Sequence, residues 1–359
     1  MPPDLLALTA ELIAVPSVSL DEHALADLVE ARLRRDAPSL VIDRVGDNVV
    51  ARTERGLGTR LLLGGHLDTV PANGNEVPRV EGDRLHGLGA ADMKGGLAVM
   101  LTIAEAAHAL GDRLRFDLTV AFYVAEEVAD EHNGLRQVFD AAPGLLDADL
   151  AILMEPTGAW VEAGCQGALV VEATFHGERA HSARPWMGRN AIHKLGPVLD
   201  RIAAHESETV LVDGLEYRES LQAVHISGGV ANNVVPDEAR LRVNRRIAPK
   251  WTGDEALAQV SALLEGADAI EVVNLSPPAP PNLWNPLIAE FIGANDLATR
   301  PKLGWTDVAR FASRGIPALN FGPGDPQVAH TRDEFVDRIE LDACYAVLAR
   351  FLGLIDAPA

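Results

Sequence analysis

Two histidines and three carboxylates of this 359-residue chain could do chemistry together. His66, Asp92, Glu127, Glu155 and His330 each follow or end an apolar run, in GGHLDT, GAADMKGG, VAEEV, LMEPT and VAHTRDE. Two imidazoles and three carboxylates are what two divalent ions require when one carboxylate bridges them. With Asp92 as the bridge, each ion receives one histidine and one further carboxylate. Hard oxygen plus imidazole, without thiolate, suits Zn(II), Co(II) or Mn(II). Such a pair acidifies a water and polarises a carbonyl, so the expected chemistry is metal-assisted hydrolysis.

Two neighbours extend the set. Asp68 lies two residues after His66, on the same side of a strand end, where a carboxylate can hold the far nitrogen of a ligating imidazole. Glu126 adjoins Glu127. Two carboxylates at a buried strand end repel each other and resist desolvation, unless one ligates a metal and leaves the other as general base. Each piece has a plainer reading taken singly. His66-Leu67-Asp68 could be an Asx turn, Asp92 a helix cap, VAEEVADEH a solvated acidic loop and His330 a surface histidine. Their order, context and number agree only on a metal centre. GLGAADMKGG is neither of the glycine-rich phosphate or dinucleotide loops, because Lys94 is followed by Gly95 and the third glycine is missing.

The elements that must hold these residues alternate in type. Residues 4–14 read as a helix. SLDEHALADLVEARLRR reads as a second helix, with Ser19 and Glu22 in capping-box spacing. Apolar runs at 60–68, 117–127 and 149–156 read as buried strands, and a long apolar helix starts near Lys94. Apolar strands separated by helices indicate a mostly parallel sheet covered on both faces, with ligands gathered at the carboxyl ends of its strands. The first four ligands are spaced 26, 35 and 28 residues apart, about one strand–helix unit each; the next gap is 175 residues. That gap accommodates an inserted domain. Strands at 168–176, 221–228, 238–247 and 269–275 with helices at 188–204 and 253–265 follow the βαββαβ order of a ferredoxin-like unit. The expected division is 1–166 with 280–359 for the catalytic domain and 167–279 for the insertion, SPPAPPN being the link back.

Bulk properties exclude several classes. A net charge of −21 with no extended basic run argues against nucleic acid and anionic membranes. Two distant cysteines are no disulfide framework and fit a reducing cytosol. The opening MPPDLLALTAELIAVPS lacks a basic segment, and no apolar run approaches the ~18 residues of a membrane span. The expected location is the cytoplasm.

At this point the chain resembles a known family: the dinuclear-zinc amidohydrolases and aminopeptidase-like peptidases that include succinyl-diaminopimelate desuccinylase, acetylornithine deacetylase and the glutamate carboxypeptidases. The resemblance runs through GGHLDTVP, HGLGAADMKGGLA, AEE, MEPT, GERAHSARPWMGRNAIHK, GGVANNVVPDEARLRVNRR and FGPGDPQVAHTRDE, nearly the whole chain. GAADMKG, MEPT, EAGCQG, AHSARPW and GWTDVARF are most similar to the actinobacterial desuccinylases. The resemblance implies a zinc-aminopeptidase-like α/β fold with an inserted lid that pairs two subunits. It also implies that His66 and Glu155 bind one ion, Glu127 and His330 the other, and Asp92 both. Glu126 would be the general acid/base and Asp68 the orienter of His66. His181 would stabilise an oxyanion in the partner subunit's site. Asn233, Arg246 and Thr306 would contact substrate, an anionic N-acyl amino acid. The implied reaction removes succinate from N-succinyl-L,L-2,6-diaminopimelate; acetylornithine deacetylation and glutamate-type carboxypeptidase action are the alternatives. A non-catalytic binding module on this scaffold would lack a ligand or the base, and all are present. One departure stands out: Cys165-Gln166-Gly167 replaces an arginine-glycine pair of many desuccinylases, so an anion contact is lost or moved to a residue such as Arg184.

Overall fold

The computed structural model describes residues 4–356. They form two compact units. The first runs to Ala163 and resumes over Asn282–Arg300 and from Arg310 onward; the second comprises Gly164–Pro281 and Pro301–Ala309.

The first unit is built on an eight-stranded sheet in the order Val41–Val45, Asn48–Arg52, Asp117–Tyr123, Arg60–His66, Leu150–Leu153, Ala318–Asn320, Val161–Ala163, Thr299–Pro301. The four central strands from Asp117–Tyr123 to Ala318–Asn320 are mutually parallel, with antiparallel strands on their flanks. These four are buried along almost their whole length, as their unbroken apolar runs require of a sheet covered on both faces. The buried helix Gly95–Ala109 packs closely at the strand ends. Two glycines permit this approach: a Cβ on Gly65 would come within 2.8 Å of Leu97 and Met93, and one on Gly96 within 2.5 Å of the Met154 carbonyl. Expected strands at 60–68, 117–127 and 149–156 end at His66, Tyr123 and Leu153. Beyond those points the chain leaves the ladder and turns toward the ligands.

The second unit has a four-stranded antiparallel sheet in the order Ser220–Gly228, Glu238–Ile247, Gly167–His176, Ala269–Ser276. With helices Leu195–Ala203 and Gly253–Leu263, this is the strand order of a ferredoxin-like unit. Its core is Leu169, Val171, Val198, Leu241, Val243 and Val260 with their neighbours. Thr252 and Glu255 form a reciprocal capping box on the second helix. A hairpin of Thr209–Val212 and Leu215–Arg218 was not expected from sequence. The segment Pro301–Ala309, assigned by sequence to the catalytic domain, belongs to this unit's contacts. Gln166 N donates to Lys302 O at 3.2 Å, and Trp305 Nε1 to Pro277 O at 3.2 Å.

Candidate metal centre

Five of the expected ligands, with Glu126, converge in the first unit. Ligand atoms of His66, Asp92 and Glu155 lie within 4.8 Å of one another, and so do those of Asp92, Glu127 and His330. Asp92 belongs to both groups. A third group joins His66, Glu126 and Glu127, so the two adjacent glutamates do face one space. Without thiolate, and with one carboxylate common to two imidazole–carboxylate sets, this donor chemistry fits a site for two divalent cations.

His66 is buried at the end of its strand. Its Nδ1 lies 3.0 Å from the Asp68 carbonyl oxygen, which can only accept, so Nδ1 carries a proton, and Nε2, 3.0 Å from Asp92 Oδ1, is the nitrogen able to ligate once its own proton is given up. The ring is thus oriented chiefly by the main chain of Asp68; the Asp68 carboxylate lies farther away, at 3.4 Å. Sequence assigned that work to the carboxylate alone. The carboxylate is engaged instead by three donors: Ser19 Oγ at 2.8 Å and the amides of Glu126 and Glu127 at 3.0 Å each.

The loop carrying the two glutamates is therefore wired residue by residue. Val124 N donates to Asn48 Oδ1, Ala125 N to Glu22 Oε1, and the next two amides to Asp68, all at 3.0 Å. Ala125 adopts φ 57°, which turns the chain out of the strand. The Ser19–Glu22 capping box expected at the second helix does not form: that helix, His23–Asp36, has no side-chain cap. Ser19 Oγ donates to the Asp68 carboxylate instead, and Glu22 accepts from Ala125 N, because a buried amide in an irregular turn needs an acceptor more than an exposed helix end does.

Asp92 is no helix cap. It sits in a turn over Ala90–Lys94 with non-helical torsions, φ −120° and ψ 89°, and the Asp92–Met93 peptide is cis. Its carboxylate lies 3.0 Å from His66 and 3.4 Å from His330, whose Nε2 is 2.7 Å from Glu127 Oε1. Glu155 follows the strand Leu150–Leu153 and is buried; Thr157 ties its loop to Gly322 through two hydrogen bonds. Burial opposes charge on His66, yet the hydrogen bonds of Asp68 and Asp92 hold its pKa well above the usual histidine range. Hydrogen bonds to Asp92 and Glu127 lift His330 to about 10 against the effect of burial. Burial would raise the Asp92 carboxyl, but the two histidines keep it far below the carboxylate range. The imidazoles here play the part of cations among acids, a part that divalent metal ions would take over on binding.

Two further buried charges lie behind Asp92. Glu334 accepts from the amides of Gly89, Ala91 and Asp92, and Lys94 Nζ donates to the carbonyls of Leu12 and Val15. Burial, with a contribution from the Asp92 charge, pushes Glu334 up to about 7 despite the three amides. Burial pulls Lys94 down to about 8, opposed by the charge of Glu334. Sequence reasoning passed over both. The available signal was a lysine among glycines and apolar residues in DMKGGLA, a context where its charge must find a partner.

The remaining expected residues lie in the second unit. His181 pairs through its strand with Val234, and Asn233 O accepts from Ser182 N at 2.9 Å, so His181 and Asn233 are neighbours. His181 Nδ1 accepts from Ala183 N at 3.0 Å, which leaves its proton on Nε2. Arg246 stands near the end of the strand Glu238–Ile247, about 25 Å along it from Glu238 at ~3.3 Å per residue. Thr306 is buried, its carbonyl 3.7 Å from the Cys165 sulfur. Gln166, at the departure from the family pattern, is buried and donates to the Arg218 carbonyl at 2.6 Å. Burial pushes the Cys165 thiol up to about 11.

Residues 62–353 match the profile of Peptidase family M20/M25/M40. This chain belongs to that family. Over 355 residues it is 48% identical to the putative succinyl-diaminopimelate desuccinylase DapE of Mycobacterium tuberculosis, covering 98% of each chain. It is 46% identical to the succinyl-diaminopimelate desuccinylase of Corynebacterium glutamicum, covering 98% of this chain and 96% of that one. A tripeptidase from Staphylococcus aureus shares the fold with a TM-score of 0.78 at 20% identity, covering 98% of both chains. A dinuclear metal binding peptidase of the M20 family from Bacillus subtilis shares it with a TM-score of 0.72 at 16% identity, covering 97% and 96%.

Proposed function

We propose that this chain is a dinuclear metal-dependent amidohydrolase that removes succinate from N-succinyl-L,L-2,6-diaminopimelate. The mechanism rests on one observation above all: Asp92 is common to two imidazole–carboxylate groups, with Glu126 beside them. The substrate follows the names of relatives that align over nearly the full chain. In this reading His66 and Glu155 would hold one ion, Glu127 and His330 the other, and Asp92 would serve both. Zn(II) is the expected metal, with Co(II) and Mn(II) as competent replacements.

The ions, when bound, supply Lewis acidity for the amide carbonyl and acidify the attacking water. Glu126 accepts the water's proton and later delivers it to the leaving amine nitrogen. Its reach is set by Asp68, which grips the Glu126 and Glu127 amides. His181, protonated on Nε2, donates to the oxyanion that forms as water adds to the carbonyl. Asn233, Arg246 and Thr306 are the proposed substrate contacts. His181 and Asn233 lie beside Val234, just before the strand Glu238–Ile247 whose far end carries Arg246, so the two ends are too far apart to reach one small substrate within a single second unit. That separation supports a homodimer in which His181 serves the partner subunit's centre. Gln166 donates inward to Arg218 and is no substitute for an anion-binding arginine, which leaves that task to other residues such as the exposed Arg184. No helix among the described residues is long and apolar enough to cross a membrane, and the proposed location is the cytoplasm.

The test is parallel hydrolysis of N-succinyl-L,L-diaminopimelate and N-acetylornithine by the zinc-loaded protein. A kcat/KM for the succinyl substrate higher by orders of magnitude is expected. Turnover of acetylornithine alone would overturn the substrate while keeping the mechanism.

A further inference from the structure

Glu334 lies outside the ligand set, yet its carboxylate is committed to the turn that presents Asp92. Oε1 accepts from Ala91 N and Asp92 N at 3.0 Å each, and Oε2 from Gly89 N at 3.1 Å. Its own main chain joins in, Gly87 N donating to the Glu334 carbonyl at 3.1 Å. Glu334 is 1% exposed. The turn has little else to define it. Gly89 is left-handed at φ 75°, and Asp92 and Met93 depart from helical torsions, so these amides lack the partners a regular helix would provide. Lys94, two residues past Asp92, is buried with its ammonium on the carbonyls of Leu12 and Val15. Those carbonyls carry no full charge, and the charge of Glu334 favours the ammonium against the cost of burial.

We infer that Glu334 is a positioning residue for the bridging ligand: it fixes the Gly89–Asp92 turn so that Asp92 is held ready between two metal ions. The inference rests on the two-metal reading. Because Asp92 belongs to both donor groups, loosening its turn weakens both ions together, whereas loss of a ligand such as Glu155 strikes one. Glu334→Gln keeps the shape and removes one acceptor. Whichever way the amide group turns, at least one of the three main-chain amides then faces an N–H.

The experiment is a titration of the metal-free full chain with Co(II), followed by visible absorption and by competition with a chelator. Wild type is expected to take up two equivalents. E334Q should bind both about 10–100-fold more weakly, the range seen when a group supporting a metal ligand is removed, and its Co(II) spectrum should change. Asp117→Asn is the control for a merely structural effect. Asp117 is a buried carboxylate that also gathers three donors, Thr53 Oγ1 and the amides of Arg55 and Leu57. It does so at the far end of the strand that leads to Glu126, about 20 Å away along the strand. D117N should lose thermal stability yet bind Co(II) as wild type does. If E334Q does not fold, Glu334→Asp takes its place, since it keeps the charge but withdraws the carboxylate by one methylene. The inference is overturned if the Glu334 variant binds both ions within twofold of wild type, or if D117N weakens them equally. Fewer than two equivalents in wild type would instead overturn the two-metal reading.

Discussion

Asp68→Asn should separate the work of this carboxylate into its parts. The wild-type group is fully buried; Oδ2 accepts from Ser19 Oγ and Glu127 N, and Oδ1 from Glu126 N. An asparagine presents one oxygen and one NH2. With the NH2 in the Oδ2 position, Ser19 can turn to accept, but Glu127 N–H is left facing a donor. With the NH2 in the Oδ1 position, Glu126 N–H is. Either rotamer expels one of the two glutamate amides, at the cost of one charge-assisted hydrogen bond, about 1.5–3 kcal/mol. For a unit of this size, at about 2–4 °C per kcal/mol, melting should fall by roughly 3–12 °C. The displaced glutamate is either the proposed base or a proposed metal ligand, and a misplacement of about 1 Å costs on the order of 100-fold in kcat. The pH dependence carries the sign. Burial opposes the charge on Asp68, but His66 and the two amides hold its pKa below the usual carboxylate range. A depressed carboxyl stabilises the fold above its unfolded pKa, near 4, and that contribution is lost as pH falls through the lower folded value. The melting gap between wild type and D68N should therefore be full at neutral pH and close as the solution is acidified below about pH 4. Differential scanning calorimetry between pH 3 and 7, with metal-loaded kcat at neutral pH, tests this. A melting point within 1 °C of wild type together with kcat within threefold, both measured at pH 7, would refute the argument.

Three other expectations follow from the same geometry. Glu126→Gln should retain both metals, measured by elemental analysis, while kcat drops by about 10²–10⁴; substantial turnover would remove Glu126 from its role. Adding Zn(II) to the chelated protein at about 100 times its Kd should stabilise the fold by roughly 2.7 kcal/mol per site, read as a rise in melting temperature, and no rise would mean that the acid cluster binds no ion. Burial raises the Glu22 carboxyl above the usual glutamate value, with the Asp68 charge adding to it. The folded state thus disfavours ionised Glu22, and its contribution to stability falls as pH climbs from the unfolded value through the raised one. Glu22→Gln, which keeps an acceptor for Ala125 N, should gain on wild type over that rise and run parallel above it; denaturant midpoints at a series of pH values would show a flat difference if this is wrong.

Much of this molecule is legible without coordinates. The parallel strands announce themselves as unbroken apolar runs, because a strand covered on both faces has no polar side to show. The ligands are legible because charged residues at the ends of such runs need a partner of high charge, and their spacing follows the strand–helix repeat. The βαββαβ order of the insertion is carried by local periodicity. None of this depends on knowing which segments meet. What supports the ligands does depend on it. Ser19 and Glu22 fit a capping box in sequence, but a capping box is a local interaction, and it yields to buried amides about a hundred residues away at Ala125 that only tertiary packing brings close. Glu334 reads as one more acid in a polar loop until the fold sets it under the Gly89–Asp92 turn. Thr306 falls in the second unit because main-chain hydrogen bonds draw Pro301–Ala309 across the assumed boundary. Sequence by itself thus determined the sheet and pointed to the candidate donor set at its strand ends, since both are patterns along the chain. The tertiary structure alone decided which buried groups satisfy the irregular turns at the strand ends, because those hydrogen bonds close over long separations and leave no period behind.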